Sequence, residues 1–145
     1  MTESNRATFP VAIHLFFLIG NQILLLRRAN TGYEDGNYSV VAGHVETGET
    51  VTEAAIREAR EEVGVDISRE SLTMAGVMHR RAGDERVDFF FKVQNWSGTI
   101  VNQEPNKCDE IRWASDKNLP SNIVPYVKHA IELSSNSIWY EEYGW

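Results

Sequence analysis

The sequence predicts a mixed α/β fold in one domain, and three observations carry that expectation. Several short apolar runs, each bounded by Gly, Pro, Asn or Asp, read as strands. One stretch in the first half carries both a start and a stop signal for a helix. The chain has 145 residues, 42% apolar and 24% charged, which is enough for a single hydrophobic core. No internal repeat or linker divides it, so one domain is expected over residues 9–145, preceded by a polar, frayed segment at 1–8.

Phe9–Leu18 and Gln22–Arg27 flank Gly20-Asn21, a tight-turn pair, and together read as a hairpin. Both runs are almost continuously apolar, as strands covered on two faces should be. After the polar loop Arg28–Asn37, Tyr38–Ala42 reads as one short strand that delivers the chain to Gly43. Thr50 and Glu53 form a capping box, and Gly64 follows the last periodic residue as the stop. Between them Ile56, Ala59 and Val63 form the expected core-facing stripe. Leu72–His79 and Arg86–Val93 read as a second strand pair joined by the loop Arg80–Glu85. A long loop, Asn95–Lys107, leads to a short strand at Glu110–Ala114. Ser121–Ser134 contains a helix with Ile123, Val127, Ala130 and Ile131 on one side. The acidic, aromatic tail Ser135–Trp145 matches no periodic pattern.

A net charge of −7 with no basic block argues against nucleic acid as a partner. It leaves room for a small anionic substrate whose charge a metal neutralises. Cys108 is the only cysteine, so no intrachain disulfide framework is possible and a reducing compartment is expected. The apolar run Val11–Leu18 is too short for a membrane span and lacks the charged flank of a signal peptide. A cytoplasmic protein without membrane contact is the expectation.

The first helix also carries an electrostatic anomaly. Glu58, Glu61 and Glu62 fall within about 100° of arc on one face, a turn apart. Like charges at that spacing cost about 0.2–0.5 kcal/mol per pair in an isolated helix. Glu61 and Glu62 also occupy the last turn, where the helix dipole favours cations. A hard divalent cation reverses that balance, because it takes several carboxylate oxygens at close quarters. The competing reading is a solvated, salt-bridged face, supported by the i,i+4 pairs Glu53–Arg57 and Arg57–Glu61.

Gly43 is followed by Glu49, and then by Arg57, Glu58, Ala59, Arg60, Glu61, Glu62, Val63, Gly64 and Val65 at fixed spacing. This stretch, Gly43–Val65, resembles the Nudix box, the signature of the Nudix hydrolases; only Ala59 is smaller than the usual aliphatic residue. Upstream, Val41-Ala42 stands where family members often carry Pro-Gly. The resemblance implies an α/β/α sandwich around a mixed β-sheet. It also implies hydrolysis of a diphosphate linked to another moiety, with Mg²⁺ or Mn²⁺ as cofactor. By the same resemblance Glu58 and Glu62 are metal ligands, Glu61 shares metal or water contacts, and the Gly43 carbonyl is a further ligand. Glu49 and Arg57 hold the loop to the helix. The segment WSGTIVNQE is similar to a spacing in MutT-like members, with Trp96 and Gly98 in register, and makes Glu104 a further ligand or the base. Asn122 is similar to an asparagine that reads the purine edge in that branch. Arg27 and Arg86, at a strand end and a strand start, are candidate phosphate contacts, and Tyr38 a candidate stacking partner.

The box leaves the leaving group open. No proline or tyrosine stands between Val65 and Glu104, where ADP-ribose and dinucleoside polyphosphate members tend to carry one, and the coenzyme A motif is missing. A nucleoside triphosphate, cut to monophosphate and pyrophosphate, is therefore the expected substrate. The alternatives are ADP-ribose, a nucleotide sugar or another diphosphate, and a non-catalytic nucleotide-binding domain. A homodimer is compatible with the family.

Overall fold

The computed structural model describes residues 5–145. Of the segment expected to fray, residues 1–4 lie outside the described residues and residues 5–8 are exposed. The described residues form two α-helices and a mixed eight-stranded sheet. In chain order these are β1 (Val11–Ile19), β2 (Gln22–Arg28), β3 (Tyr38–Ser39), β4 (Val41–His44), α1 (Val51–Val63), β5 (Leu72–Ala82), β6 (Asp84–Val93), β7 (Cys108–Ser115), α2 (Pro125–Leu133) and β8 (Trp139–Tyr143).

β1 organises the sheet. One edge pairs parallel with β6, from Val11↔Val87 to Phe17↔Val93, and β5 and then β8 follow on that side. The other edge is shared. β4 pairs with its first half, Ala12↔His44 to Leu15↔Val41, and β2 with its tip, Leu18↔Ile23 and Ile19↔Gln22. β2 then leaves to pair with β7 and β3.

The apolar continuity of β1 follows from this placement. Ile13, Leu15 and Phe17 enter one core cluster with Ala54, Ala55, Ala59 and Val63 of α1. Phe16 enters a second with Val127, Ala130 and Ile131 of α2. Helices therefore cover both faces, the α/β/α sandwich that the resemblance implies. Each fully buried Val, Leu, Ile or Phe among them contributes about 1.5–3 kcal/mol.

α1 begins and ends at the positions its signals name. Thr50 accepts from the Glu53 amide, Glu53 accepts from the Thr50 amide, and Gly64 closes the helix in the left-handed region at φ 71°. The buried stripe is Ala54, Ala55, Ala59 and Val63, with Ile56 only half-buried at its edge.

Three expectations are corrected, and the unassigned tail contributes a strand. The hairpin of β1 and β2 exists only at its tip, because β4 takes the adjoining half of the β1 edge. The single strand at Tyr38–Ala42 is two short strands: β3 completes the outer sheet on β2 and β4 joins β1. Arg80–Glu85 is not a loop, since β5 and β6 stay paired to Ala82↔Asp84 around Gly83. The tail contains β8, which runs parallel to β5 from Gly76↔Trp139 to Arg80↔Tyr143. Its ties are side-chain bonds: Trp139 Nε1 donates to Ser134 Oγ, His129 Nε2 meets Glu141 Oε2, and Trp145 Nε1 donates to the His79 carbonyl. No helix among the described residues is long and apolar enough to cross a membrane.

Candidate active site

The loop after β4 is fastened to α1 by one side chain. Arg57 donates through Nε and Nη2 to both oxygens of Glu49, at 2.7 and 3.0 Å. The same guanidinium reaches the His44 carbonyl at 3.0 Å, Glu58 at 2.7 Å and Glu61 at 3.1 Å. The guanidinium and the Glu46 amide hold the Glu49 carboxyl at about 2, well below its ordinary value. Glu49 is thus charged throughout the neutral range, and the ion pair is a constant brace.

Gly43 leaves room for the Glu58 carboxyl. A Cβ at this position would come within 3.0 Å of three atoms of the Glu58 side chain, so a larger residue would require that carboxyl to shift from its present position beside β4. Gly43→Ala is expected to leave the melting temperature within a few degrees while lowering turnover at least about tenfold, through displacement of Glu58. Calorimetry beside a rate measurement checks this; unchanged turnover would show that Glu58 moves aside freely.

The long loop brings a further acid to the same place. The Val101 amide donates to the Val63 carbonyl and the Gln103 amide to the Glu62 carbonyl, satisfying groups that the helix end leaves free. Trp96 anchors the loop by packing edge-on against Phe17 at 5.3 Å. The chain then folds back, with Lys107 and Cys108 donating to the Glu104 carbonyl. Glu104 comes within electrostatic reach of Glu62, which lies against Glu58.

Glu62 Oε2 is enclosed and has no hydrogen-bond partner. Burial, then the Glu58 carboxylate and then Glu104 push the Glu62 carboxyl well above its ordinary range. An enclosed, unpartnered carboxylate oxygen beside two more acids suits either a proton shared with Glu58 or a hard cation that takes the proton's place. Among the described residues, no three His, Cys, Asp or Glu side chains stand at closed metal-site spacing. Glu58 and Glu61 are both drawn to Arg57, and Glu61 remains half exposed.

These acids form one wall of a cleft of about 990 Å³. The cleft passes around β4, past Gly43 and His44, to the α2 face of the sheet, where His14, Arg80 and Tyr126 form its floor. Arg27 and Arg86 line it, each already paired, Arg27 with Asp109 and Glu110 and Arg86 with Asp84. Tyr38 and Asn122 do not line the cleft. The Tyr38 ring is buried in the α2-side core because β3 pairs with β2 there, and Asn122 turns its amide to the Gly36 carbonyl. Sequence reasoning sets His14 aside for want of ligand spacing, ranks Arg80 below Arg27 and Arg86 as a phosphate contact, and does not single out Asp88 or Tyr126. Of these only Asp88 left a local signal, an acid within the apolar run Val87–Phe91.

A family model described as the NUDIX domain matches residues 8–132. The NAD-capped RNA hydrolase NudC of Vibrio atlanticus is 42% identical over 118 residues, covering 81% of this chain and 41% of that protein. The protein of the same description from Stutzerimonas stutzeri is 35% identical over 103 residues, covering 70% and 35%. The chain thus spans roughly two fifths or less of the length of these relatives. A crystal structure of a MutT NUDIX hydrolase from Burkholderia pseudomallei superposes with a TM-score of 0.79 at 24% identity, covering 87% of this chain and 98% of that one.

Proposed function

The chain belongs to the Nudix family of hydrolases, and on that premise we propose that it cleaves the phosphoanhydride of a nucleoside diphosphate derivative. The favoured substrate is a nucleoside triphosphate, with monophosphate and pyrophosphate as products. The observation that carries the reading is the enclosed, unpartnered Oε2 of Glu62 beside Glu58 and Glu104 at the wall of a nucleotide-sized cleft. Glu58, Glu62 and the Gly43 carbonyl would hold Mg²⁺ or Mn²⁺, with Glu61 contributing through water. A divalent cation bound there supplies charge neutralisation at the phosphate oxygens and activation of water. Arg57 keeps loop and helix in register, so the acids are in place before substrate arrives. Glu104 either takes a proton from the attacking water or completes the ligand set.

A second reading, a dinucleotide diphosphate of the NAD type, is favoured by the descriptions of the two curated relatives. An NAD-capped RNA substrate would overturn the expectation, drawn from the charge of −7, that no nucleic acid binds.

The test is Mg²⁺-dependent turnover of nucleoside triphosphates, NAD⁺ and ADP-ribose, with products separated by ion exchange. The highest kcat/KM is expected on a triphosphate, with pyrophosphate released. A tenfold or greater preference for NAD⁺ would replace the first reading with the second, and no turnover of any of them would end both. In the same assay, Glu104→Gln should lower kcat by about a hundredfold if this acid is the base. An unchanged rate would leave it a loop residue.

A further inference from the structure

The cleft holds a second built polar group, on the α2 side of the sheet, that the hydrolysis does not use. His14, Arg80 and Tyr126 are 1%, 4% and 9% exposed, and Asp88 beside Arg80 is fully buried. Arg80 Nε donates to Asp88 Oδ2 at 2.7 Å. The guanidinium carbon lies 3.6 Å from the centre of the Tyr126 ring, and the Tyr126 hydroxyl is 2.9 Å from His14 Nε2. The His14 ring stacks on Phe90 at 4.4 Å. Apolar residues of equal volume would stabilise this floor as well or better, so stability does not account for it.

Two atoms of the group remain unused. His14 Nδ1 is enclosed without a partner. Arg80 spends Nε and Nη2 on Asp88, which leaves Nη1 without an acceptor among the described residues, at the cleft. The floor is also electrically neutral. Asp88 offsets Arg80, burial lowers His14 to about 4, and burial keeps the Tyr126 phenol protonated. A neutralised guanidinium in an aromatic setting suits an uncharged ring with an acceptor edge better than another phosphate.

Position agrees with chemistry. β4, β1, β6 and β5 stand side by side, so at about 4.8 Å per strand the site extends from the strand of His14, next to that of Gly43, to the strand of Arg80, roughly 14 Å across. That span is too long for a diphosphate alone and suits an extended nucleotide. The tail holds the floor together: β8 pairs with β5 up to Arg80↔Tyr143, while Glu141 bonds His129 on α2, the helix that supplies Tyr126.

We propose that His14, Arg80 and Tyr126, with Asp88 positioning Arg80, bind the uncharged planar head group of the substrate, its nucleobase or an equivalent ring, and set which nucleotide is accepted. This rests on the phosphoanhydride reading above, and its test separates the two. Metal-free calorimetric titration with the four common ribonucleoside 5′-monophosphates and with ribose 5-phosphate is applied to wild type, His14→Phe and Tyr126→Phe. Wild type is expected to spread the bases over about tenfold or more in Kd, the worth of one hydrogen bond, and to bind ribose 5-phosphate most weakly. Both variants should compress the spread below threefold. Tyr126→Phe keeps the ring beside Arg80, so it remains informative where His14→Phe melts early. An unchanged spread in Tyr126→Phe, or equal affinity of wild type for ribose 5-phosphate, would overturn the proposal. Base discrimination without cleavage of any triphosphate or dinucleotide would support this site and end the hydrolysis reading. Cleavage with a base ranking insensitive to both substitutions would do the reverse.

Discussion

Glu62→Gln is expected to lower kcat/KM on the best nucleotide by about a thousandfold, the scale of losing one preorganised charge-stabilising group at a reacting phosphate. The same substitution should raise the melting temperature in metal-free buffer. Glu62 lies against Glu58 with an enclosed, unpartnered oxygen, and burial raises its pKa in the folded state. For an acid shifted upward, the unfolded chain loses its proton first as pH rises. The group therefore costs more stability with each step in pH from about its ordinary value of 4.5 up to its raised folded pKa, and the full cost persists above that. A neutral amide of the same shape removes that burden. Higher stability bought with lost turnover is the pattern of a residue kept for chemistry. A variant that melted lower and turned over normally would make Glu62 a structural residue.

The second large effect concerns stability alone. Arg80→Met is expected to cost about 3–5 kcal/mol, because it leaves the fully buried Asp88 carboxylate without its partner. Arg80→Met combined with Asp88→Leu should recover most of that loss, since packed apolar side chains replace a buried ion pair at little or no cost. Urea unfolding of wild type, single and double variants reads both numbers. A single variant within about 1 kcal/mol of wild type would show that water reaches Asp88 and that the pair is not sealed.

What could be read before the structure was local. α1 announces itself because Thr50, Glu53 and Gly64 act on backbone groups within a turn of themselves. β1 reads as doubly covered because its own consecutive side chains are apolar on both faces, Ile13, Leu15 and Phe17 on one and Phe16 on the other. Illegible features depend on partners far along the chain. β8 forms only because β5, 63 residues earlier by register Gly76↔Trp139, offers an edge. The break at Val40 reflects a choice between β2 and β1 that no local pattern marks. Within the cleft, the box acids were legible as one helix face, whereas His14, Arg80 and Tyr126 come from three separate elements and meet only across the sheet. Tyr38 and Asn122 do not line the cleft for a similar reason: the pairing of β3 with β2 turns Tyr38 into the core, and the Gly36 carbonyl holds the Asn122 amide.

Mn²⁺ binding, followed by the loss of its free-ion paramagnetic resonance signal, asks most directly whether the acids of α1 form a metal site. Wild type should bind the ion at millimolar concentration or below, and Glu62→Gln should bind it at least about tenfold more weakly, as the loss of one charged ligand requires. Equal binding by the two proteins, or none by wild type, would contradict the assignment of the Gly43–Val65 stretch as the catalytic centre.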